Sequence, residues 1–135
     1  QDPLIYQVND LSDYDQFYTK VQSDNESKKA ITVVGAGLVG CEYAHDLATA
    51  GHKVKVVAAS NQILPVMLPK EAADALQSEM ESSLAVTFLL EEKVSSINLV
   101  DNRAFVELES GEKLENDLVL TAPHNLRRIG RFCLS

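Results

Sequence analysis

AITVVGAGLVGCEYAHDLATAGHKVKVVA, which spans residues 30–58, decides the fold of this 135-residue chain. It begins with a short apolar run rich in β-branched residues, passes through a glycine-rich turn into apolar residues at helical spacing, and ends in a second β-branched run. Short runs of this kind are typical of buried parallel strands. The order strand, glycine turn, helix, strand predicts the first half of a doubly wound α/β domain.

The turn after the first strand carries Gly35, Gly37 and Gly40 in the spacing GxGxxG. In a dinucleotide site the first glycine permits a tight turn, the second lets the backbone approach a pyrophosphate, and the third lets the helix pack closely on the sheet. The helix N-terminus adds free N–H groups and about half a positive charge, so the anion needs no lysine. This spacing also occurs in turns that bind nothing, but the flanking strands and helix favour a dinucleotide site.

A second helix is predicted to begin near Pro69, after a loop punctuated by two Leu-Pro steps. Proline suits the first turn of a helix, because its missing N–H is not needed there. We expect the buried stripe of this helix to comprise Ala73, Leu76, Met80 and Leu84, with Met80 as a core residue rather than a cofactor ligand. The apolar run over 86–90 predicts a third parallel strand.

Residues 94–114 change to an alternation of apolar and polar residues, interrupted by turn signals at 101–102 and 110–111. This pattern is typical of antiparallel strands joined by tight turns. A last apolar strand is predicted over 117–121. The predicted fold is therefore α/β: a Rossmann-like three-layer domain with a parallel sheet and a small antiparallel three-stranded meander.

Three segments are predicted along the chain: a lead-in over 1–29, a dinucleotide-binding domain over 30–122 and an unassigned tail over 123–135. The lead-in contains Tyr14, Phe17, Tyr18 and Val21 at helical spacing. Packing on the domain is favoured for this aromatic face over a binding surface. The tail contains three arginines and no acidic residue, and we expect a disordered or non-native end.

Composition and charge limit the classes of function. The formal net charge of −8 argues against nucleic acid and anionic membrane surfaces as partners, because both need clustered Lys and Arg. No apolar run approaches the length of a membrane span, which is about 18 residues or more. Two cysteines far apart in sequence suit a reducing cytoplasm. Since the chain begins with Gln1, we expect it to be a piece of a longer protein.

Few single residues suggest chemistry of their own. Cys41 could be a redox thiol, but with no partner cysteine nearby a packing role is favoured. The three histidines, His45, His52 and His124, have no metal-ligand spacing, so each is expected to be a solvated surface residue and no metal is expected. No GxSxG elbow indicates a serine hydrolase.

Four segments carry a family resemblance: VVGAGLVGCEYAHDLATAGHKVKVV, QILPVMLPKEAADALQ, SGEKLENDLVLTA and, upstream, YQVNDLSDY. In these segments the chain resembles the NAD(H)-binding domain of the FAD-dependent pyridine nucleotide-disulphide oxidoreductases, and among these it is most similar to the rubredoxin reductases. The resemblance covers about residues 5–122. The glycine spacing alone is common to many Rossmann proteins. GAGLVGCE followed by a Leu-Pro loop and a meander is more specific.

The resemblance implies a function and a set of contacts. In this family the domain is inserted in an FAD domain and presents the nicotinamide to the flavin, so hydride would pass from NADH to FAD and electrons on to rubredoxin or a similar acceptor. The FAD domain of a parent chain would be the partner. The implied cofactor contacts are Gly35, Ala36, Gly37, Leu38, Val39 and Gly40 at the pyrophosphate, Glu42 near the nicotinamide and flavin, Ala58 and Ala59 at the ribose, Val94 near the adenine and Ala122 near the nicotinamide.

Two departures from the family pattern leave alternatives open. Most members place Asp or Glu after the second strand to bind the ribose hydroxyls, whereas this chain has Ala58, so NAD is favoured only weakly over NADP. The segment from Pro123 replaces the usual continuation toward the FAD domain, so we expect no FAD and no catalysis in this chain alone. There are two other hypotheses: a nucleotide-sensing module without catalysis, and a structural remnant that binds nothing.

Overall fold

The computed structural model describes residues 4–7, 17–19, 21 and 28–122. The strands and helices of this part, in chain order, are β1 (Ile5–Gln7), β2 (Ala30–Val34), α1 (Leu38–Thr49), β3 (Lys53–Val57), α2 (Lys70–Ser83), β4 (Val86–Leu89), β5 (Val94–Val100), β6 (Arg103–Leu108), β7 (Lys113–Asn116) and β8 (Leu118–Thr121). Neither helix has the length and hydropathy needed to cross a membrane.

Five strands form a parallel sheet in the order β1-β8-β2-β3-β4. From β2 the chain moves outward through α1, β3 and α2 to β4, and after the meander it returns to the other side of β2 as β8. The direction of winding therefore reverses at β2. In open α/β sheets, ligands bind beyond the carboxyl ends of the strands at such a reversal.

Both faces of the parallel sheet are covered, because the strands are apolar on both sides. One face packs against the helices through Ile31, Val33, Val54 and Val56, which join Ala44 and Leu47 of α1 in one core cluster. The other face packs against the meander through Val57 and Val119, which join Ala104, Val106, Leu108 and Leu114. The predicted three-layer α/β fold is confirmed.

The meander is an antiparallel sheet in the order β5-β6-β7. Asp101 and Asn102, which join β5 to β6, both have positive φ values, 50° and 66°. A two-residue hairpin turn whose twist matches its strands requires positive φ at both positions, and Asp and Asn tolerate it better than most residues. The turn that the sequence predicts is confirmed.

Buried and half-buried polar contacts connect the meander to the parallel sheet. Thr32 Oγ1 in β2 donates a hydrogen bond to Asn116 Oδ1 at 2.7 Å, and both side chains are buried. The carboxylate of Asp117 accepts a hydrogen bond from the Ala30 N–H at 2.8 Å and is also paired with Arg103. Since an unmade buried hydrogen bond is costly, these contacts favour one position of the meander on the sheet.

The buried stripe of α2 differs from its prediction at one residue. Ala73 and Met80 are buried, as expected, and Leu84 is half-buried, but Leu76 is 37% exposed. Counted from Ala73 in helical steps of four, three and four, the inward row passes through Gln77, Met80 and Leu84. Leu76 lies at the border of this row, so its inclusion in the stripe was wrong.

The lead-in segment contributes buried residues to the domain. Residues 17–19 and 21 are helical, and both Phe17 and Val21 lie in the main core cluster. The rings of Tyr6 and Phe17 meet edge to face with centroids 5.0 Å apart. This burial favours packing over a binding surface. The predictions for Tyr14 and for the tail over 123–135 lie outside the described residues.

His52 is buried, so its prediction as a solvated residue was wrong, whereas His45 is exposed and His124 lies outside the described part. The Nδ1 atom of His52 accepts a hydrogen bond from the Lys29 N–H at 3.0 Å, and its Nε2 is buried without a partner among the described residues. Burial lowers the pKa of His52, and the nearby charges of Lys28 and Lys29 lower it further. The folded domain therefore favours the neutral ring over the charged one.

We expect stability to decrease on acidification because of His52. Since its pKa is lowered in the folded state, the unfolded chain takes up this proton first. Protonation of His52 therefore leaves stability unchanged above about pH 6.5 and lowers it as pH falls from there toward the lowered pKa. Asn in place of His52 keeps an acceptor near the position of Nδ1 but does not titrate. In urea unfolding from pH 7 to pH 5, wild type should lose stability more steeply than His52→Asn, and parallel profiles would contradict this account.

Candidate functional site

The glycine turn joins the carboxyl end of β2 to α1. Gly35 has a φ of 122°, which favours glycine, and its N–H donates to the Val57 carbonyl at 2.8 Å. Gly37 is the N-cap of α1 and offers no side chain to its first turn. The first donor of the helical ladder is the Cys41 N–H, which bonds to the Gly37 carbonyl at 2.9 Å. The N–H groups of residues 38–40 thus precede the ladder and are available to an anion.

Gly40 is where α1 and the turn after β2 touch. A Cβ at Gly40 would lie 2.1 Å from the Gly35 carbonyl oxygen and 3.6 Å from Val33 Cγ1. The first distance is far below any normal contact, and the obstructing atom belongs to the backbone. Only glycine therefore lets the helix start this close to the strand, as the sequence pattern predicts for the third glycine.

A cavity of about 640 Å³ opens beyond the carboxyl ends of β2, β3 and β8. This is within the usual range of small-molecule sites, about 300–1,000 Å³. The described residues that line it are Val34, Gly35, Val57, Ala58, Ala59, Ser60, Pro65, Glu92, Lys93, Val94 and Ala122. The Ala122 N–H donates to the Val34 carbonyl at 3.0 Å, which holds the end of β8 beside the end of β2. The cavity therefore lies where the sheet reverses its direction of winding.

Five of the predicted site residues line this cavity: Gly35, Ala58, Ala59, Val94 and Ala122. They come from four separate parts of the sequence, and the parallel sheet brings them to one edge. The remaining turn residues, over 36–40, lead from Gly35 into α1. The structure thus places most of the predicted set around one opening and the N-terminus of one helix.

Glu42 and Cys41 lie on α1 just after the turn. Glu42 is exposed and lies after the first turn of the helix, which contains no acidic residue. Cys41 is buried, and its thiol donates to the Ala36 carbonyl at 3.4 Å. Burial, with a smaller effect of the Glu42 charge, raises the pKa of the Cys41 thiol to about 12. Cys41 therefore stays protonated at neutral pH and packs rather than reacts.

The Leu-Pro loop between β3 and α2 is fastened to the glycine turn. The Leu64 N–H donates to the Ala36 carbonyl at 2.9 Å, and Leu64 has a φ of 48°. Gln62 is buried, and its Nε2 donates to the Leu68 carbonyl at 2.9 Å. These contacts hold Pro65 on the cavity wall.

Sequence reasoning missed four polar or loop residues of the cavity: Ser60, Pro65, Glu92 and Lys93. Glu92 and Lys93 belong to the segment that follows β4, for which the sequence suggested no function. The signal that could have found them is the position after a parallel strand, because the carboxyl ends of neighbouring parallel strands meet at one edge. Within the described ranges, no group of three His, Cys, Asp or Glu side chains could hold a metal ion.

Comparison with known proteins identifies relatives of the whole described domain. The sequence profile of the family described as pyridine nucleotide-disulphide oxidoreductase matches residues 2–123. The chain is 39% identical over 119 residues to a rubredoxin-NAD(+) reductase of Alcanivorax borkumensis, and 40% identical over 121 residues to one of Acinetobacter baylyi. Each match covers 87% of this chain, and the chain spans about 30% of the length of each relative.

Among solved structures, the water-forming NADH oxidase of Lactobacillus brevis bound to NADH has a similar fold. The TM-score is 0.76 with 20% sequence identity, and the match covers 96% of this chain and 28% of the oxidase. At that identity the likeness shows the fold alone. It agrees with the layered sheet described above.

Gly40→Ala should destabilise the fold, because the new Cβ would overlap the Gly35 carbonyl oxygen. Overpacking of this kind costs on the order of 1–3 kcal/mol. The matched control is Gly37→Ala, since Gly37 has a φ of −78°, which alanine adopts without strain. Urea unfolding of both variants measures the difference. Equal midpoints for the two would contradict the close contact.

Gly37→Val should abolish dinucleotide binding with little loss of stability. The φ of −78° and ψ of −169° at Gly37 suit a β-branched residue, while the added side chain would occupy the space over the first turn of α1 that a pyrophosphate needs. Calorimetric titration with NADH tests this for wild type and the variant, with circular dichroism as the check on folding. Equal binding heats would show that the turn is not the site.

Proposed function

The chain belongs to the pyridine nucleotide-disulphide oxidoreductase family, and from this membership we propose that residues 30–122 are an NAD(H)-binding domain. In the whole protein, hydride passes from NADH to FAD and electrons pass on to rubredoxin or a similar acceptor. The two rubredoxin-NAD(+) reductases, each similar over 87% of the chain, support this choice of acceptor. The proposed setting is the reducing cytoplasm, which suits the buried free thiol of Cys41.

The observation that carries the proposal is the N-terminus of α1 beside the cavity. The glycine turn presents backbone N–H groups and the positive end of a helix dipole, with no side chain at the N-cap to compete for them. A pyrophosphate is the anion that such a turn accommodates, because two phosphate groups can accept several backbone hydrogen bonds. The chain carries a net charge of −8, so this local positive end favours an anion that the overall charge disfavours.

Each part of the dinucleotide is assigned a place in or beside the cavity. The pyrophosphate lies over residues 38–40, the adenosine extends past Ala58 and Ala59 toward Val94, and the nicotinamide extends toward Ala122. These positions are the ones that the family resemblance implies, and Ala58, Ala59, Val94 and Ala122 all line the cavity. Glu42 is assigned to the nicotinamide side, where the flavin of the whole protein would also lie.

Protein residues have two tasks in this proposal: binding and orientation. Apolar lining residues such as Val34 and Val57 exclude water from one wall, while the backbone of the turn fixes the phosphates. FAD, when bound in the whole protein, supplies the hydride acceptor. We assign its binding to the part of the family fold that lies outside these residues, in keeping with relatives more than three times as long as the match.

The isolated chain should bind NADH but should not reduce ferricyanide with it. Hydride transfer needs the nicotinamide held at near-contact distance to an acceptor ring, and free FAD is not positioned by this domain. The assay combines the purified chain with NADH, added FAD and ferricyanide, after calorimetry has shown that NADH binds. The matched control is Gly37→Val, which lacks the binding step. Turnover well above the flavin-only background in wild type would overturn the assignment of FAD to another part of the protein.

A further inference from the structure

The position after β3 lacks the acid that usually binds the adenosine ribose. Ala58 lines the cavity there and has no group that can accept a hydrogen bond from a hydroxyl, apart from its backbone. Its carbonyl already accepts the Glu92 N–H at 3.0 Å. The neighbouring Ser60 Oγ donates to the Gln62 carbonyl at 2.7 Å. A ribose placed at this end of the cavity therefore needs an acceptor from another segment.

Glu92 comes to this place from the next strand along the sheet. The Ala58 N–H donates to the Leu89 carbonyl at 3.0 Å, and the Glu91 N–H donates to the Ser60 carbonyl at 2.9 Å. Together with the bond from Glu92 to Ala58, these contacts hold residues 89–92 alongside residues 58–60. Of the described residues that line the cavity, Glu92 is the only one with a carboxylate.

The carboxylate of Glu92 is available to a ligand. Glu92 as a residue is half-buried and lines the cavity, and its carboxylate makes no hydrogen bond or ion pair with any part of the chain that the structure describes. Some other acids of the domain are paired with a cation, as Asp74 is with Lys70 and Asp117 with Arg103. An ionised carboxylate only accepts hydrogen bonds, and ribose hydroxyls are donors of suitable size.

Lys93 also lines the cavity. It would favour NADPH over NADH, since its positive charge attracts a 2′-phosphate. It is exposed, and its carbonyl accepts the Glu109 N–H at 2.8 Å, so its backbone is held by the meander. Glu92 is the less exposed of the two, and its N–H donates a hydrogen bond to the Ala58 carbonyl. An interaction made by the less exposed charge is screened less by solvent, which favours Glu92 as the determinant.

We propose that Glu92 supplies the carboxylate that binds the 2′-hydroxyl of the adenosine ribose and that it makes this site prefer NADH to NADPH. This inference rests on the proposed function and adds to it the residue that sets cofactor specificity. The 2′-phosphate of NADPH would meet the carboxylate as a like charge and would lose the hydroxyl donor. The acid thus reaches the ribose from the segment after β4 rather than from the end of β3.

Calorimetric titrations of the full chain with NADH and with NADPH test this. Wild type should bind NADH more tightly than NADPH. Glu92→Gln should weaken NADH binding about tenfold, because a hydrogen bond to a charged acceptor is lost, and should relieve the repulsion of NADPH, so the preference falls by more than tenfold. The matched control is Glu91→Gln, which changes the same charge at the neighbouring exposed residue and should leave both affinities unchanged.

A second pair of variants separates the alternatives. Ala58→Glu in the Glu92→Gln background should restore the preference for NADH, because it returns a carboxylate to the same end of the cavity. A preference that changes with Lys93→Gln but not with Glu92→Gln would overturn the inference and assign specificity to Lys93. Binding with an unchanged preference in Glu92→Gln would overturn the inference alone. A folded wild-type chain that binds neither dinucleotide would overturn the proposed function as well.

Discussion

The contact between Gly40 and the Gly35 carbonyl oxygen is the constraint on which the rest of the site depends. A Cβ added at position 40 would lie only 2.1 Å from that oxygen, so any residue other than glycine would push α1 away from β2. The close start of the helix brings its N-terminus to the carboxyl edge of the sheet, where the cavity opens. A helix starting a few ångströms farther out would present its free N–H groups to solvent instead of to a ligand in the cavity.

The meander also positions residues of the site, in this case residues that lie far from the glycine turn in the sequence. Because it leaves β4 and returns as β8 on the far side of β2, it brings Val94 and Ala122 to the same opening as the glycine turn. The buried hydrogen bond from Thr32 to Asn116 fixes the meander against β2. Sheet topology and this polar contact therefore position cavity residues that lie far apart in the sequence, as the helix contact positions the turn.

Much of the fold could be predicted from the sequence, because its determinants are local. β-branched runs, glycine spacing and the Asp101–Asn102 turn each encode one element within a few residues. Three features depend on packing between elements and were not predictable in this way: the burial of His52, the exposure of Leu76 and the place of Glu92 on the cavity wall. In the site, the glycine turn could be predicted because one motif contains it, whereas Glu92 belongs to the site only through the pairing of the ends of β3 and β4.

The state of Cys41 bears on how such a domain takes part in redox chemistry. A thiol relay needs a thiolate, and a thiol whose pKa is raised to about 12 is almost entirely protonated at neutral pH. The thiol also donates a hydrogen bond to the Ala36 carbonyl inside the glycine turn, so reaction at sulphur would remove a contact of the turn itself. Within the described residues Cys41 is the only free cysteine. These features favour a role for this domain in which it holds the dinucleotide and leaves electron transfer to a bound cofactor, so that its own side chains contribute orientation and specificity.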